Sequence, residues 1–171
     1  QKTGYRPSQH SQRSTAVSPS ADQENVVLGF LNGTATDIHG RTFDDAMAFS
    51  DEQIERTHNF IQWLFPLPEP SLSVPGSPCL SDADITALRD SSAAVANLNV
   101  AADWFLDFLV RNQHWIKPYD HNHLRITRVI KSLRLIAGDV DAERFKSQVF
   151  ECIGQHIHHI DFRAQRFWLE A

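Results

Sequence analysis

The chain is short of cysteine, of long hydrophobic runs, of positive charge and of strand-like alternation, and each shortage excludes something. Two cysteines, Cys79 and Cys152, are too few for a disulfide scaffold. One lies in a proline-rich stretch and one inside a helical pattern, so two free thiols are expected, with a single bridge as the alternative. No CxxC or HExxH pattern occurs, which leaves no motif-level metal site and no expected cofactor. No run of 18 apolar residues is present, so no transmembrane segment is expected. The 16 Lys and Arg against 21 Asp and Glu, a formal net charge of −5, argue against a general nucleic-acid binder. Residues 1–24 are rich in Ser, Gln and Pro and lack the apolar stretch of a signal peptide. They are read as a flexible arm ahead of a soluble intracellular domain, cytoplasmic or nuclear. There is no repeat of solenoid length.

What is present reads as one helical domain. At 171 residues with 42% apolar and 22% charged residues, the chain can bury roughly 70% of its extended surface around one core. Over residues 25–171 helix starts and stops recur. Thr42-Phe43-Asp44-Asp45, Ser50-Asp51-Glu52-Gln53 and Ser81-Asp82-Ala83-Asp84 are capping boxes, in which a hydroxyl and a side-chain oxygen three residues on satisfy opposite backbone N–H groups. Gly40 is placed for a turn with positive φ, and Gly138 for the end of a helix capped by Asp120. Five prolines (Pro66, Pro68, Pro70, Pro75, Pro78) make residues 66–78 an extended strap. Leu98, Ala101, Phe105, Phe108 and Leu109 form the stripe of a helix over 93–110, and Val100 and Trp104 make it apolar on a second side, which places it centrally. Asp139 or Asp141 starts a further helix, and Asp161 a last short one. The expectation is an all-α bundle of about six to seven helices.

The stretch Thr57-His58-Asn59-Phe60-Ile61-Gln62-Trp63-Leu64-Phe65-Pro66 reads as the end of one helix running from Ser50 to the proline. On that helix Ile54, His58, Ile61 and Phe65 share roughly one 60° sector, so His58 is expected to face the core, with Gln62 at the sector's edge and Trp63 on the opposite side beneath the strap. A second constellation runs from Asp120 to Arg134. There Ile126, Val129, Ile130, Leu133 and Ile136 form an apolar arc that includes Asn122, which therefore needs partners. Leu124, Arg128 and Leu135 form a second stripe, expected to contact structure too. Five Lys or Arg occur from Lys117 to Arg134. They read as a solvated basic face, as partners for the acids of residues 37–55, or as an anion site built from Arg125, Arg128 and the helix N-terminus. His156, His158 and His159 lack supporting carboxylates or thiols for a metal. No serine or cysteine sits on a nucleophile elbow, so no enzyme signature is found.

The segments THNFIQWLFPLPEPS (57–71) and DHNHLRITRVIKSLRLIAG (120–138) resemble the two signature blocks of the opioid growth factor receptor conserved domain. Asp37-Ile38-His39-Gly40-Arg41 and Phe167-Trp168 are similar to further family features, so the resemblance spans about residues 26–170. It implies a compact single-domain member with a helical fold. It also implies kinship with receptors that bind the peptide methionine-enkephalin and restrain proliferation, at nuclear and membrane-associated locations. By position, the family's recurrent polar residues fall on Asp37, Arg41, His58, Gln62, Asn122, His123, Arg125 and Arg128, with Trp63 as an apolar neighbour. The preferred expectation is a non-enzymatic site for a peptide or small anionic ligand, in which Arg41, Arg125 and Arg128 hold the anion. The alternatives are a small-molecule or metal-dependent enzyme using His58 and Asp37, and a structural interaction module.

Overall fold

Three capping boxes start three helices where the sequence places them, in a computed structural model that describes residues 25–171. The arm expected over 1–24 lies outside the described residues. Thr42 and Asp45 cap α2 (Phe43–Met47), Ser50 and Gln53 cap α3 (Asp51–Arg56), and Ser81 and Asp84 cap α5 (Asp82–Asp90), each with both reciprocal hydrogen bonds made. Asn25 caps α1 (Val26–Leu31). Each such cap contributes about 1 kcal/mol, which matters for helices of one or two turns. Together with α4 (Ile61–Leu64), α6 (Ser92–Arg111), α7 (His121–Ile136), α8 (Asp139–Ile153) and α9 (Phe162–Glu170), these make nine α-helices and no strand among the described residues. The fold is all-α, with more and shorter helices than the six to seven expected.

The core is built around α6 and α7. Leu98, Ala101, Phe105, Phe108 and Leu109 of α6 are buried as their spacing predicts, and α6 packs on α1, α5, α7 and α8. Its other side is open, with Val100 exposed and Trp104 half-buried. At 20 residues α6 also has the length and apolarity of a membrane-crossing helix, a match missed when only unbroken apolar runs are counted. In this fold its stripe is occupied by other helices. α7 ends at Gly138, whose φ of 112° admits the turn into α8 and whose N–H returns to Leu133 O. α9 then brings Trp168 back under α7, where its indole N–H donates to His123 O at 3.1 Å.

The largest departure from the sequence reading lies between Ser50 and Pro66. No single helix runs there: α3 ends at Arg56, Thr57 turns to extended backbone, and α4 begins only at Ile61. The reason is apolar crowding. Residues 60–67 are all buried, and a regular helix hides one face, not every side. Breaking the helix lets the chain dive inward, so Trp63 lies in the core, edge-on to Phe30 at 5.6 Å, not outward beneath the strap. The same break turns His58 out, so it is exposed rather than core-facing. Cys79 and Cys152 are both unpaired.

Candidate functional site

Interrupting a helix inside the protein strands main-chain carbonyls, which must find donors or cost free energy comparable to lost hydrogen bonds. The donors are the polar residues singled out in the sequence. Arg125, on α7, donates through Nη1 to Ile54 O and through Nη2 to Thr57 O, both at 2.8 Å. Arg41 donates to Asn59 O at 3.0 Å and to the Asn59 side chain at 2.9 Å. Arg128 Nη1 reaches Phe65 O at 2.8 Å and Ser132 Oγ reaches Pro66 O at 3.0 Å. Asn122, fully buried, is partnered by Glu55 and Arg125. Burial lowers the pKa of the Arg125 and Arg128 guanidiniums, although both remain charged at neutral pH. The basic stretch is thus neither a solvated face nor paired with the acids of 37–55. Its arginines bind main chain, while Lys117 pairs with Asp120, Lys131 with Glu69, and Arg134 with Asp139 and Glu143.

Beside this clamp a cleft of about 470 Å³ opens to solvent. His58, Ile61 and Gln62 form one wall, residues Ser71, Ser73 and Val74 of the strap a second, and His121, Leu124, Arg125 and Arg128 of α7 the third. Gln62 is 7% exposed, yet its Oε1 accepts no hydrogen bond from the described residues. Native interiors rarely leave such an atom unpaired. At the mouth, the rings of His58 and His121 meet edge-on at 5.6 Å. Burial and the Arg125 charge lower the pKa of His121, against an opposing pull from Glu55 and Asp120, so its imidazole is neutral at pH 7. Arginine donors and two histidines favour a small anion.

A family model described as the opioid growth factor receptor (OGFr) conserved region matches residues 30–114. The chain belongs to the opioid growth factor receptor family. Opioid growth factor receptor-like protein 1 of Xenopus tropicalis is 34% identical over 113 residues, covering 56% of this chain and 21% of the relative. The mouse protein of that name is 30% identical over 119 residues, covering 60% of this chain and 25% of the relative. The human opioid growth factor receptor is 30% identical over 112 residues, covering 55% and 16%. The matches thus span a quarter or less of these relatives' lengths. No solved structure matches the chain.

The family region stops at residue 114, so Arg41, His58, Gln62 and Trp63 fall inside it and the α7 residues beyond it. Of the residues read from the sequence, the cleft gathers His58, Gln62, Arg125 and Arg128. Asp37 and Arg41 are not among its lining. Asp37 is buried and accepts from His39 N, Arg41 N and Arg41 Nε, the last at 2.7 Å, so it is fully engaged in shaping its own loop. Asn122 belongs to the clamp and Trp63 to the core. His123 is boxed between Trp115 and Trp168 with Nε2 2.8 Å from Trp115 O, a structural position. Leu124 is exposed at 72%, not covered as its stripe suggested, because the helix neighbours leave the cleft open there. The sequence reading missed His121 and the strap serines as cleft residues. His121 precedes Leu124, Arg125 and Arg128 at spacings of three, four and seven, which put all four on one side of α7.

A second cluster borders the cleft. Ligand atoms of Glu55, Asp120 and His121 lie within 4.8 Å of one another, close enough for a metal by distance. Their oxygens already have protein partners: Glu55 meets Asn122, His114 and His121, and Asp120 meets Lys117 and the Asn122 N–H. Burial would raise the Asp120 pKa, but the Asn122 N–H and Lys117 outweigh it and leave it lowered. The arrangement is that of a helix cap tied to a hydrogen-bonded network.

Proposed function

We propose that the cleft between α4, the strap and α7 is a ligand site, and that the chain acts as a non-enzymatic binder of a small anion or peptide carboxylate. The observation that carries this reading is Arg128, which lines a solvent-open cleft on a helix face it shares with Arg125 and His121. Arg128 has one guanidinium N–H committed to Phe65 O, and its remaining donors are available to a carboxylate. Arg125 contributes charge more than hydrogen bonds, since both its terminal nitrogens already serve carbonyls. Arg41, which ties Asp37 to Asn59, steadies the turn that presents His58 instead of contacting the anion. The names of the curated relatives speak of an opioid growth factor receptor, so methionine-enkephalin is the first peptide to test. Calorimetric titration of the whole chain with this peptide should give saturable heat, with an affinity that Arg128→Gln weakens by about tenfold. No heat at about millimolar peptide would remove the peptide version, and binding insensitive to Arg128→Gln would remove the cleft.

A further inference from the structure

The strap carries hydroxyls where the cleft asks for negative charge. It is a loop pinned at its base, where the Leu80 N–H donates to Leu67 O at 3.0 Å and both leucines are buried. Between these points it leans over the cleft, with Ser71, Ser73 and Val74 as its wall. Arg125 and Arg128 lie on the α7 wall, His58 and His121 stand at the mouth, and no Asp or Glu is among the lining residues. The one carboxylate of the strap, Glu69, meets Lys131 at 3.4 Å and reaches Arg128 through its charge alone. A carboxylate opposite these guanidiniums would hold the strap down at all times, whereas a serine does so only after it acquires charge. Ser73 is the accessible one. It is exposed and its neighbour Leu72 is 96% exposed, while Ser71 is half-buried. Ser77, the third serine of the strap, gives its hydroxyl to Val74 O at 2.7 Å.

We propose that Ser73 is a phosphorylation site whose phosphate seats in the cleft against Arg128 and closes the strap over α7. The proposal rests on the cleft being an anion site, as above, and adds its regulation by an anion that the chain itself carries. A protein kinase supplies the nucleoside triphosphate. Ser73 Oγ forms the new O–P bond to the terminal phosphoryl group as the phosphoanhydride bond breaks. The nucleoside diphosphate leaves with the bonding electron pair, and the hydroxyl proton passes to the base of the kinase. The product carries a charge of about −1.5 to −2 at neutral pH and three acceptor oxygens. Arg128 has guanidinium N–H groups left after its bond to Phe65 O, and a planar guanidinium can donate to two phosphate oxygens at once. The buried arc of α7 fixes that helix in the core, so the strap is the part that moves. Tethering makes the pairing intramolecular, and a phosphate held in cis excludes a free anion from the same guanidinium. Phosphorylation thus switches the cleft off.

The test installs phosphoserine at position 73 of the whole chain during translation, so that no kinase has to be known. In a phosphorus NMR titration its second pKa should drop from the usual value of about 6 to about 5 or below. Arg128→Gln should restore the usual value. Lys131→Gln, which removes a like charge one turn along α7 but outside the cleft lining, should not. Inorganic phosphate, titrated calorimetrically, should bind the unmodified chain at least about tenfold more tightly than the phosphorylated one. A phosphoserine that titrates normally, a shift that ignores Arg128, or inorganic phosphate bound equally tightly by both forms overturns the proposal. In each of these cases Arg128-dependent binding of inorganic phosphate to the unmodified chain leaves the anion cleft standing. A shift that needs Arg128, without binding of the free anion, removes the ligand reading and leaves the phosphate in cis. Mass spectrometry of the chain recovered from its native cells should find phosphate on Ser73, and its absence there overturns the proposal.

Discussion

Helix α7 is gripped from two sides by unlike chemistry. On one side Ile126, Val129, Ile130 and Leu133, all fully buried, pack against α6 and α8 in the way any amphipathic helix meets a core. On the other, Arg125, Arg128 and Ser132 hold the broken segment 54–66 by its carbonyls. The apolar seam tolerates changes of shape within limits of volume, because dispersion and burial are non-directional. The polar seam has no such latitude: each donor meets a named oxygen. Charged groups whose purpose is to pair buried main chain look, in a sequence, like charged groups waiting for a ligand. Arg125 and Arg128, read as an anion site, both serve main chain, Arg125 through both terminal nitrogens and Arg128 through one, and both also line the cleft.

The comparison can be broken most forcefully on the apolar side. Ile130→Ala should cost about 4 kcal/mol in chemical denaturation, with no new dependence on pH or salt. On the polar side Arg125→Met keeps volume but orphans Ile54 O and Thr57 O, and should cost about 3 kcal/mol. A loss no larger than that of an exposed ion pair would show that the seam is not structural. Arg128→Gln should weaken anionic ligands by about tenfold, near 1.4 kcal/mol, with a smaller loss of stability, which separates the residue's two roles. Because burial and Arg125 hold the His121 pKa below its usual value, a bound carboxylate should draw a proton onto it. Glu55 and Asp120 assist that uptake, and Arg125 and His58 oppose it. Affinity should therefore rise a few-fold, to at most about tenfold per unit, as pH falls from about 7.5 to about 5.5; a flat profile would exclude His121 from the ligand's surroundings.

The smallest effect belongs to Asp51. Its hydrogen bonds from Arg111 and Asn112 lower its pKa to about 2. A depressed carboxylate contributes stability above its unfolded value and loses that contribution as pH falls through the folded one. Asp51→Asn should thus cost under about 1 kcal/mol at neutral pH, since the pair is exposed. At about pH 1, below the folded value, that cost should be gone, as thermal melts at the two pH values would show.

The sequence was most legible where the relevant partners are close along the chain. The three capping boxes, the Asp120 and Asp161 caps and the Gly138 terminus all act within about four residues, and each stands as read. Burial of Asn122 was readable too, as a polar residue inside an apolar arc. The break at Thr57–Phe60 was not. No glycine or proline announces it, and the donors that make it affordable lie 18 residues away at Arg41 and 63 to 71 residues away on α7. With the break went the placement of His58 and Trp63, since a helical wheel carries no information past the point where the helix stops.

By itself, then, the sequence determined the all-helical class, the ends of most helices and the membership in a family, because caps, periodicity and motif are local patterns of side chains. Only the tertiary structure decided which way Thr57–Phe65 turns, whether each arginine faces main chain or solvent, and that a cationic cleft opens between α7 and the strap. Those are outcomes of satisfying buried carbonyls with donors remote in the chain, and they exist only once α7 has docked.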